Sequence, residues 1–278
     1  MSKLSFFKYQ GAGNDFILID SRHFSYSFDL SLFAQRVCAR RSGIGADGLI
    51  FFSPSPVADY KMRIFNADGS EALMCGNGIR CLFDFIKKKE KALTIETLYG
   101  ILNCRYDDDE IVIGLGNPKI LHWPIAVEKK VLFVVDTGVP HAILFVDDLD
   151  QVDVSKEGAK IRFHPLFSPN GVNVNFVSIN TKNQVVLRTY ERGVEAETLA
   201  CGTGAAAAAF VAMEYKALNP PISVLTRLCF EKNPIEYRQD LRFHFYKDDE
   251  GKVQIEMHGK AQKVFEGFID FNQYAFNN

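Results

Sequence analysis

The sequence predicts an α/β (α+β) chain of two similar halves, each a set of strands around one central helix. Three observations carry that expectation. The first is a repeated frame. Glu71-Ala-Leu-Met-Cys-Gly-Asn-Gly78 returns as Glu197-Thr-Leu-Ala-Cys-Gly-Thr-Gly204, a shared E-x-L-x-C-G-x-G spaced by nearly half the chain. The second is that each copy runs straight into a helical stretch, at 79–90 and at 205–217. The third is the abundance of short alternating or β-branched runs elsewhere. Matched glycines on the same side of each cysteine exceed what packing requires, so each half is expected to present one thiol at the mouth of one helix.

Along the chain, residues 6–8, 16–20 and 61–65 read as strands, as do 111–115, 131–136, 142–146, 172–179 and 185–190. Residues 30–40 and 152–162 read as one further helix in each half. The helix at 205–217 contains an unbroken alanine run, 205–209. Alanine favours helix and lets another backbone come close, as a helix tucked into a surrounding sheet requires. Leu115-Gly-Asn-Pro118 breaks the pattern near the middle. The expected domains are therefore 1–117, completed by 264–278 with a returning strand at 264–271, and 118–263.

Composition narrows the function classes. The 278 residues are 47% hydrophobic and 24% charged, the balance of a globular protein with room for two cores. A formal net charge of −2 without a basic stripe argues against nucleic acid as partner. No apolar run reaches membrane-spanning length, and the polar opening Met1-Ser-Lys-Leu-Ser does not read as a signal peptide, so a cytoplasmic location is expected. The six cysteines are Cys38, Cys75, Cys81, Cys104, Cys201 and Cys229. Without an export signal they read as reduced thiols, and the absence of C-x-x-C argues against zinc. Cys38, Cys104 and Cys229 lie among apolar or β-type residues and are expected to pack.

Cys75 and Cys201 are the candidates for chemistry. A helix N-terminus carries N–H groups without acceptors and partial positive charge, which lower a thiol's pKa and hold an anion. Two such thiols facing each other form an acid and a base on opposite sides of one carbon, an arrangement that inverts a stereocentre. Four further segments place polar residues at strand ends: Gly11-Ala-Gly-Asn-Asp-Phe16, Asn66-Ala-Asp-Gly-Ser70, Gly138-Val-Pro-His141 and Tyr190-Glu-Arg-Gly193. Taken singly each is an ordinary turn. Their positions around both cysteine frames favour one shared site.

The combination GxGNDF, FNADGSEALMCGNGIRC, PH and YERGxxxETxACGTG resembles the diaminopimelate epimerase family, in order from about Phe7 to the chain's end. The resemblance implies two pseudosymmetric domains, each a strand-rich barrel around a central helix, with the active site in the cleft between them. It also implies a homodimer, a small-molecule amino-acid substrate, and no metal or organic cofactor. Carried over by position, Cys75 and Cys201 match the acid/base thiols. Asn14, Asn66, Asn173 and Arg192 match positions that hold the substrate's distal end. Gly76, Asn77, Gly202 and Thr203 match the backbone amides that cradle the reacting carboxylate. His141 and Glu191 match a polar pair near the reacting centre, with His141 shaping the site. The chemistry suits these residue types, because guanidinium forks onto carboxylate and helix N-termini bind anions.

Two departures stand out. Val139 occupies a position where many members carry Asn, and Gly48 one where many carry Gln. Both imply a less polar distal pocket and slow racemisation of a shorter substrate such as glutamate. The expected reaction is interconversion of L,L- and meso-diaminopimelate, in lysine and peptidoglycan precursor biosynthesis, by two-base proton transfer at the α-carbon. Three alternatives stand beside it: a racemase of a related amino acid, a cysteine-dependent redox or hydrolytic enzyme, and a binding protein that keeps the amino-acid site without turnover. A hydrolase needs a general base beside one cysteine and has no use for a second frame.

Overall fold

In the computed structural model, which describes residues 3–23, 28–86, 92–182, 184–198, 201–226, 239–270 and 274, the chain separates into two units. These are Met1–Ile113 with Gly259–Asn278, and Gly114–His258. The packing reading of Cys229 and the outer ends of two expected elements, 87–90 and 271, lie outside the described residues.

The first unit opens with a hairpin of β1 (Lys3–Gly11) and β2 (Asn14–Asp20). Helix α1 (Leu30–Cys38) then leads to β3 (Gly48–Pro54), which lies parallel to β2. A tight turn cannot join parallel neighbours, so a crossover is required at this step. Asp29 caps α1 by accepting from the N–H groups of Ser31 and Leu32. Strand β4 (Tyr60–Asn66) runs antiparallel to β3 and pairs with the short β5 (Glu71–Ala72). Helix α2 (Gly76–Ile86) makes the second crossover, to β6 (Leu93–Glu96), parallel to β4; β7 (Ile101–Asp107) and β8 (Glu110–Gly116) follow antiparallel.

The second unit repeats this plan. Strands β9 (Lys119–Val127), β10 (Lys130–Asp136) and β11 (Pro140–Phe145) form an antiparallel meander. Helix α3 (Val154–Arg162), capped by Asp153, crosses to β12 (Asn173–Ile179), parallel to β11. Strand β13 (Val185–Glu191) is antiparallel to β12 and pairs with the short β14 (Ala196–Thr198). Helix α4 (Gly202–Lys216) crosses to β15 (Ile222–Thr226), parallel to β13, and β16 (Gln239–Lys247) and β17 (Val253–Gly259) complete the series. The chain then returns to the first unit as β18 (Gln262–Asp270), antiparallel to β1.

The strand order β18·β1·β2·β3·β4·β6·β7·β8 is thus matched by β9·β10·β11·β12·β13·β15·β16·β17, with parallel steps and helices at the same places. Register makes individual residues equivalent. Phe16 pairs with Gly48 and Ile50 with Ile64 in the first unit. His141 pairs with Asn173 and Asn175 with Thr189 in the second.

Each unit has an inner and an outer helix. Helix α4 touches β10 to β13, β15 and β16, and its residues 204–212 are all buried, the five alanines fully. Larger side chains would hold those strands away. Helix α2 plays this part in the first unit against β1, β2, β3 and β18. The outer helices present one apolar face. Phe33, Ala34 and Val37 of α1 meet Ile17, Leu49 and Phe51, while Val154 and Ile161 of α3 meet Val174, Phe176 and Tyr190. Among the described residues no helix is long and apolar enough to cross a membrane.

The structure corrects several element bounds. Helix α1 stops at Cys38 rather than residue 40, because Ala39 turns extended, and α3 starts after its Asp153 cap rather than at 152. Strands β3, β5, β6, β7, β9 and β14 to β17 are absent from the sequence expectation. In β3 the run Leu49-Ile-Phe-Phe52 is buried on both faces, so it lacks the alternation that marks a strand. In β9 the first three residues are all exposed, and only the second half, from Trp123 to Val127, alternates.

Candidate active site

Both cysteines of the repeated frame stand at a helix mouth. Cys75 is half-buried and immediately precedes Gly76, the first residue of α2. Cys201 is 9% exposed and is the N-cap of α4, in extended backbone, with no side-chain capping bond. Ser, Thr, Asp or Asn would be the ordinary choice there. The carbonyls of Cys75 and Cys201 accept the N–H groups of Ile79 and Ala205, 2.9 and 2.8 Å away, which closes each first turn. The N–H groups of Gly76, Asn77, Gly202 and Thr203 fall within these first turns, where no intrahelical acceptor exists.

The other members of the frame have structural work. Glu71 forks onto Arg63 of β4 at 2.6 and 2.8 Å, and Glu197 forks onto Arg188 of β13 at 2.6 and 2.7 Å. Each pair ties the short strand before a cysteine to its neighbour. Arg188 is buried and also donates to the carbonyls of Leu149 and Val152. The last glycine of each frame permits close packing. A Cβ at Gly204 would lie 2.5 Å from Asn175 Oδ1, and one at Gly78 would lie 3.0 and 3.1 Å from the Cδ1 atoms of Ile50 and Ile64.

In the first unit, Asn77 is buried and donates to Asn14 Oδ1 at 2.7 Å, while Asn14 donates to Asp47 at 3.1 Å. Asp47 accepts from Arg40 at 2.6 Å, and Arg40 and Lys8 both pair with Asp15. Burial alone would raise the Asp15 pKa, but hydrogen bonds from Arg40 and Lys8 outweigh it and hold the carboxyl at about 2. Arg80 is fully buried and donates to Asn77 Oδ1 at 2.7 Å. Desolvation lowers its pKa, opposed by attraction from Cys81, Cys75 and Glu110. Asn66, at the end of β4, donates to Ser70 Oγ at 2.9 Å. Asp15, Asp47 and Arg80 lie inside or beside the sequence motifs without an assigned role, and the burial of Arg80 emerges only with the structure.

In the second unit, Asn173 is buried, accepts the Arg192 N–H at 2.8 Å and donates to the Pro140 carbonyl at 3.4 Å. The Arg192 side chain is half-buried and reaches the Asn170 carbonyl at 3.5 Å. Desolvation raises the Glu191 carboxyl above its ordinary range. His141 is fully buried. Desolvation, with the Arg192 charge adding to it, pushes its pKa down to about 3, so the ring is neutral. Its Nε2 lies 2.9 Å from Thr203 Oγ1, and its Nδ1 lies 3.1 Å from Asn175 Nδ2. Thr203 Oγ1 is in turn 3.4 Å from Cys201 Sγ. Asn175 is the residue sequence reasoning missed, two places after Asn173 in a run that otherwise reads as plain strand.

The remaining described cysteines sit in dry surroundings. Burial pushes Cys38 and Cys104 up to about 12 and raises Cys81 as well. Among the described residues no group of three or more His, Cys, Asp and Glu side chains converges as a metal site.

The family model for diaminopimelate epimerase matches residues 6–121 and 133–228. A diaminopimelate epimerase of Aquifex aeolicus (strain VF5) is 38% identical over 95% of this chain and 97% of its own. One of Flavobacterium psychrophilum is 42% identical over 96% of this chain and 100% of its own. Among solved structures, a phenazine biosynthesis protein of the PhzF family from Bacillus anthracis superimposes with a TM-score of 0.74 at 19% identity, covering 98% of this chain and 100% of that one. A hydroxyproline epimerase from Agrobacterium vitis, with trans-4-hydroxy-L-proline bound, reaches 0.70 at 14% identity, covering 100% and 95%. These last two share the fold. With both cysteine frames inside the matched residues and near-complete coverage by its relatives, the chain belongs to the diaminopimelate epimerase family.

Proposed function

We propose that this chain is an isomerase that interconverts L,L- and meso-diaminopimelate, in the pathway that supplies lysine and peptidoglycan precursors. The observation that carries this reading is the pair of thiols, one at the N-terminus of the inner helix of each unit, at equivalent positions of one repeated connectivity. One thiolate removes the α-proton from one face. The other thiol delivers its own proton to the opposite face, and the carbanion between these steps spreads onto the α-carboxylate. The N–H groups of Gly76, Asn77, Gly202 and Thr203 supply fixed dipoles for that charge, the largest kind of contribution a site without reorganisation can make.

Asn14, Asn66, Asn173 and Arg192 are assigned to the distal amino and carboxylate groups. Asn14 and Asn173 each use one donor and one acceptor within the protein, which leaves each amide one N–H and one lone pair for a ligand. Their existing bonds also fix which end of each amide points where. Glu191 and His141 border the reacting centre. The relatives' shared name favours this substrate over a shorter amino acid, and over redox or hydrolytic chemistry. A homodimer in the cytoplasm is the assembly and location that accompany this reading.

Incubation with L,L-diaminopimelate in D₂O tests it. Meso product should accumulate with deuterium at the inverted α-carbon. Unlabelled, uninverted substrate after prolonged incubation would remove the assignment.

A further inference from the structure

The two helix mouths are equivalent in connectivity yet differ beneath the cysteine. In the first unit Ile50 and Ile64 lie under Gly78, and with Phe16 on the neighbouring strand they form a set of three buried, apolar positions. Their register equivalents are His141 and Asn175, which lie under Gly204, and Thr189 on the neighbouring strand, all buried and all polar. Packing alone is therefore satisfied by apolar side chains at this place in the fold. Burying three polar groups instead demands that each be hydrogen-bonded, and each is.

The direction of these bonds follows from Asn175. Its Nδ2 lies 3.3 Å from the Ala142 carbonyl, which can only accept, and its Oδ1 accepts from Thr189 Oγ1 at 3.0 Å. The amide orientation is thereby fixed. The second Nδ2 hydrogen goes to His141 Nδ1, which must then be a bare acceptor. A neutral ring with bare Nδ1 carries its proton on Nε2 and donates it to Thr203 Oγ1. The Thr203 hydroxyl, accepting there, has its own hydrogen left for Cys201 Sγ.

We propose that Asn175 and His141 are positioning residues that orient the Thr203 hydroxyl as a hydrogen-bond donor to the Cys201 thiolate. The proposal rests on the reading of Cys201 as an acid/base thiol. The relay donates a hydrogen bond and gives up no proton. When Cys201 takes the α-proton, the sulfur gains it and the Asn175–His141–Thr203 bonds stay as they are. Arg192 is the charged group that acts on His141, and Glu191 is the ionisable group at the same end of β13. The first unit has no such hydroxyl at the equivalent place. There Asn77 is turned to Asn14 and Arg80, so the two thiols are supported by different chemistry.

Two measurements test this. In protein carrying Cys75→Ala, the pH dependence of iodoacetamide alkylation at Cys201 should shift upward by about one pH unit on Thr203→Val, and Thr203→Ser should return it toward the parent, since one charge-assisted hydrogen bond is lost and restored. In protein labelled with ¹⁵N-histidine, His141 should show a protonated Nε2 and a bare Nδ1, and Asn175→Asp should place a proton on Nδ1. An unchanged midpoint in Thr203→Val, or a protonated His141 Nδ1 in the parent, overturns the relay. Failure of the underlying reading looks different: Cys201→Ala protein would still interconvert L,L- and meso-diaminopimelate, whatever the alkylation midpoints.

Discussion

At the scale of residues, the protein sorts its cysteines by surroundings. Cys38, Cys81 and Cys104 are buried away from solvent, and desolvation raises all three. Cys75 and Cys201 sit where unsatisfied N–H groups converge. Because the thiolate is the nucleophile, brief iodoacetamide treatment of native protein at neutral pH should label Cys75 and Cys201 and spare the other three. Peptide mapping in which Cys38, Cys81 or Cys104 reacts as fast would contradict the sorting. The two reactive candidates were legible in the sequence, because the repeated frame singles them out among six otherwise similar residues. Asn175 and Arg80 were not legible. Their role depends on what lies across the sheet or under the helix, and one sequence does not show which strands are neighbours.

At the scale of elements, the frame explains itself as a joint between a short strand and an inner helix. Its glutamate anchors the strand to an arginine two residues from the paired position, and its last glycine lets the helix settle on the sheet. The two glycines should not be equally tolerant. At Gly78 the neighbours are methyl ends of Ile50 and Ile64 that can give by a few tenths of an ångström, and alanine gains helix propensity. Gly78→Ala should therefore change stability by less than about 1 kcal/mol. At Gly204 the obstacle is Asn175 Oδ1, held by a side chain bonded on every side, so Gly204→Ala should destabilise by about 1–3 kcal/mol. Urea unfolding of both variants checks the difference, and equal effects would contradict it. The strands with alternating faces were readable from periodicity, and the inner helix α4 from its alanine run behind the cysteine frame. Strand β3 was not, because burial on both faces erases the alternation, and the crossovers became visible only with the registers.

At the scale of the whole molecule, the same connectivity used twice gives one thiol per unit, and one ionisable group in each, the buried His141 and the half-buried Asp15, shapes the pH behaviour. His141 is neutral when folded and takes up a proton when unfolded, near its ordinary pKa of 6.5. The unfolded chain then binds more protons as pH falls, so stability should drop from about pH 6.5 toward pH 3 with a slope of up to about 1.4 kcal/mol per pH unit. Asp15 acts lower. Its paired carboxylate contributes above its ordinary value of 3.8, and that contribution is lost as pH falls toward about 2. Urea midpoints at pH 7, 6 and 5 should therefore decline, and a flat series would show that His141 is not held neutral. The central claim is that two thiols divide one proton transfer between them. It is tested most directly by epimerisation of L,L-diaminopimelate with Cys75→Ala and with Cys201→Ala, each confirmed folded by circular dichroism. Loss of either acid/base partner should lower turnover by at least about a hundredfold. Near wild-type turnover in either variant would contradict the account.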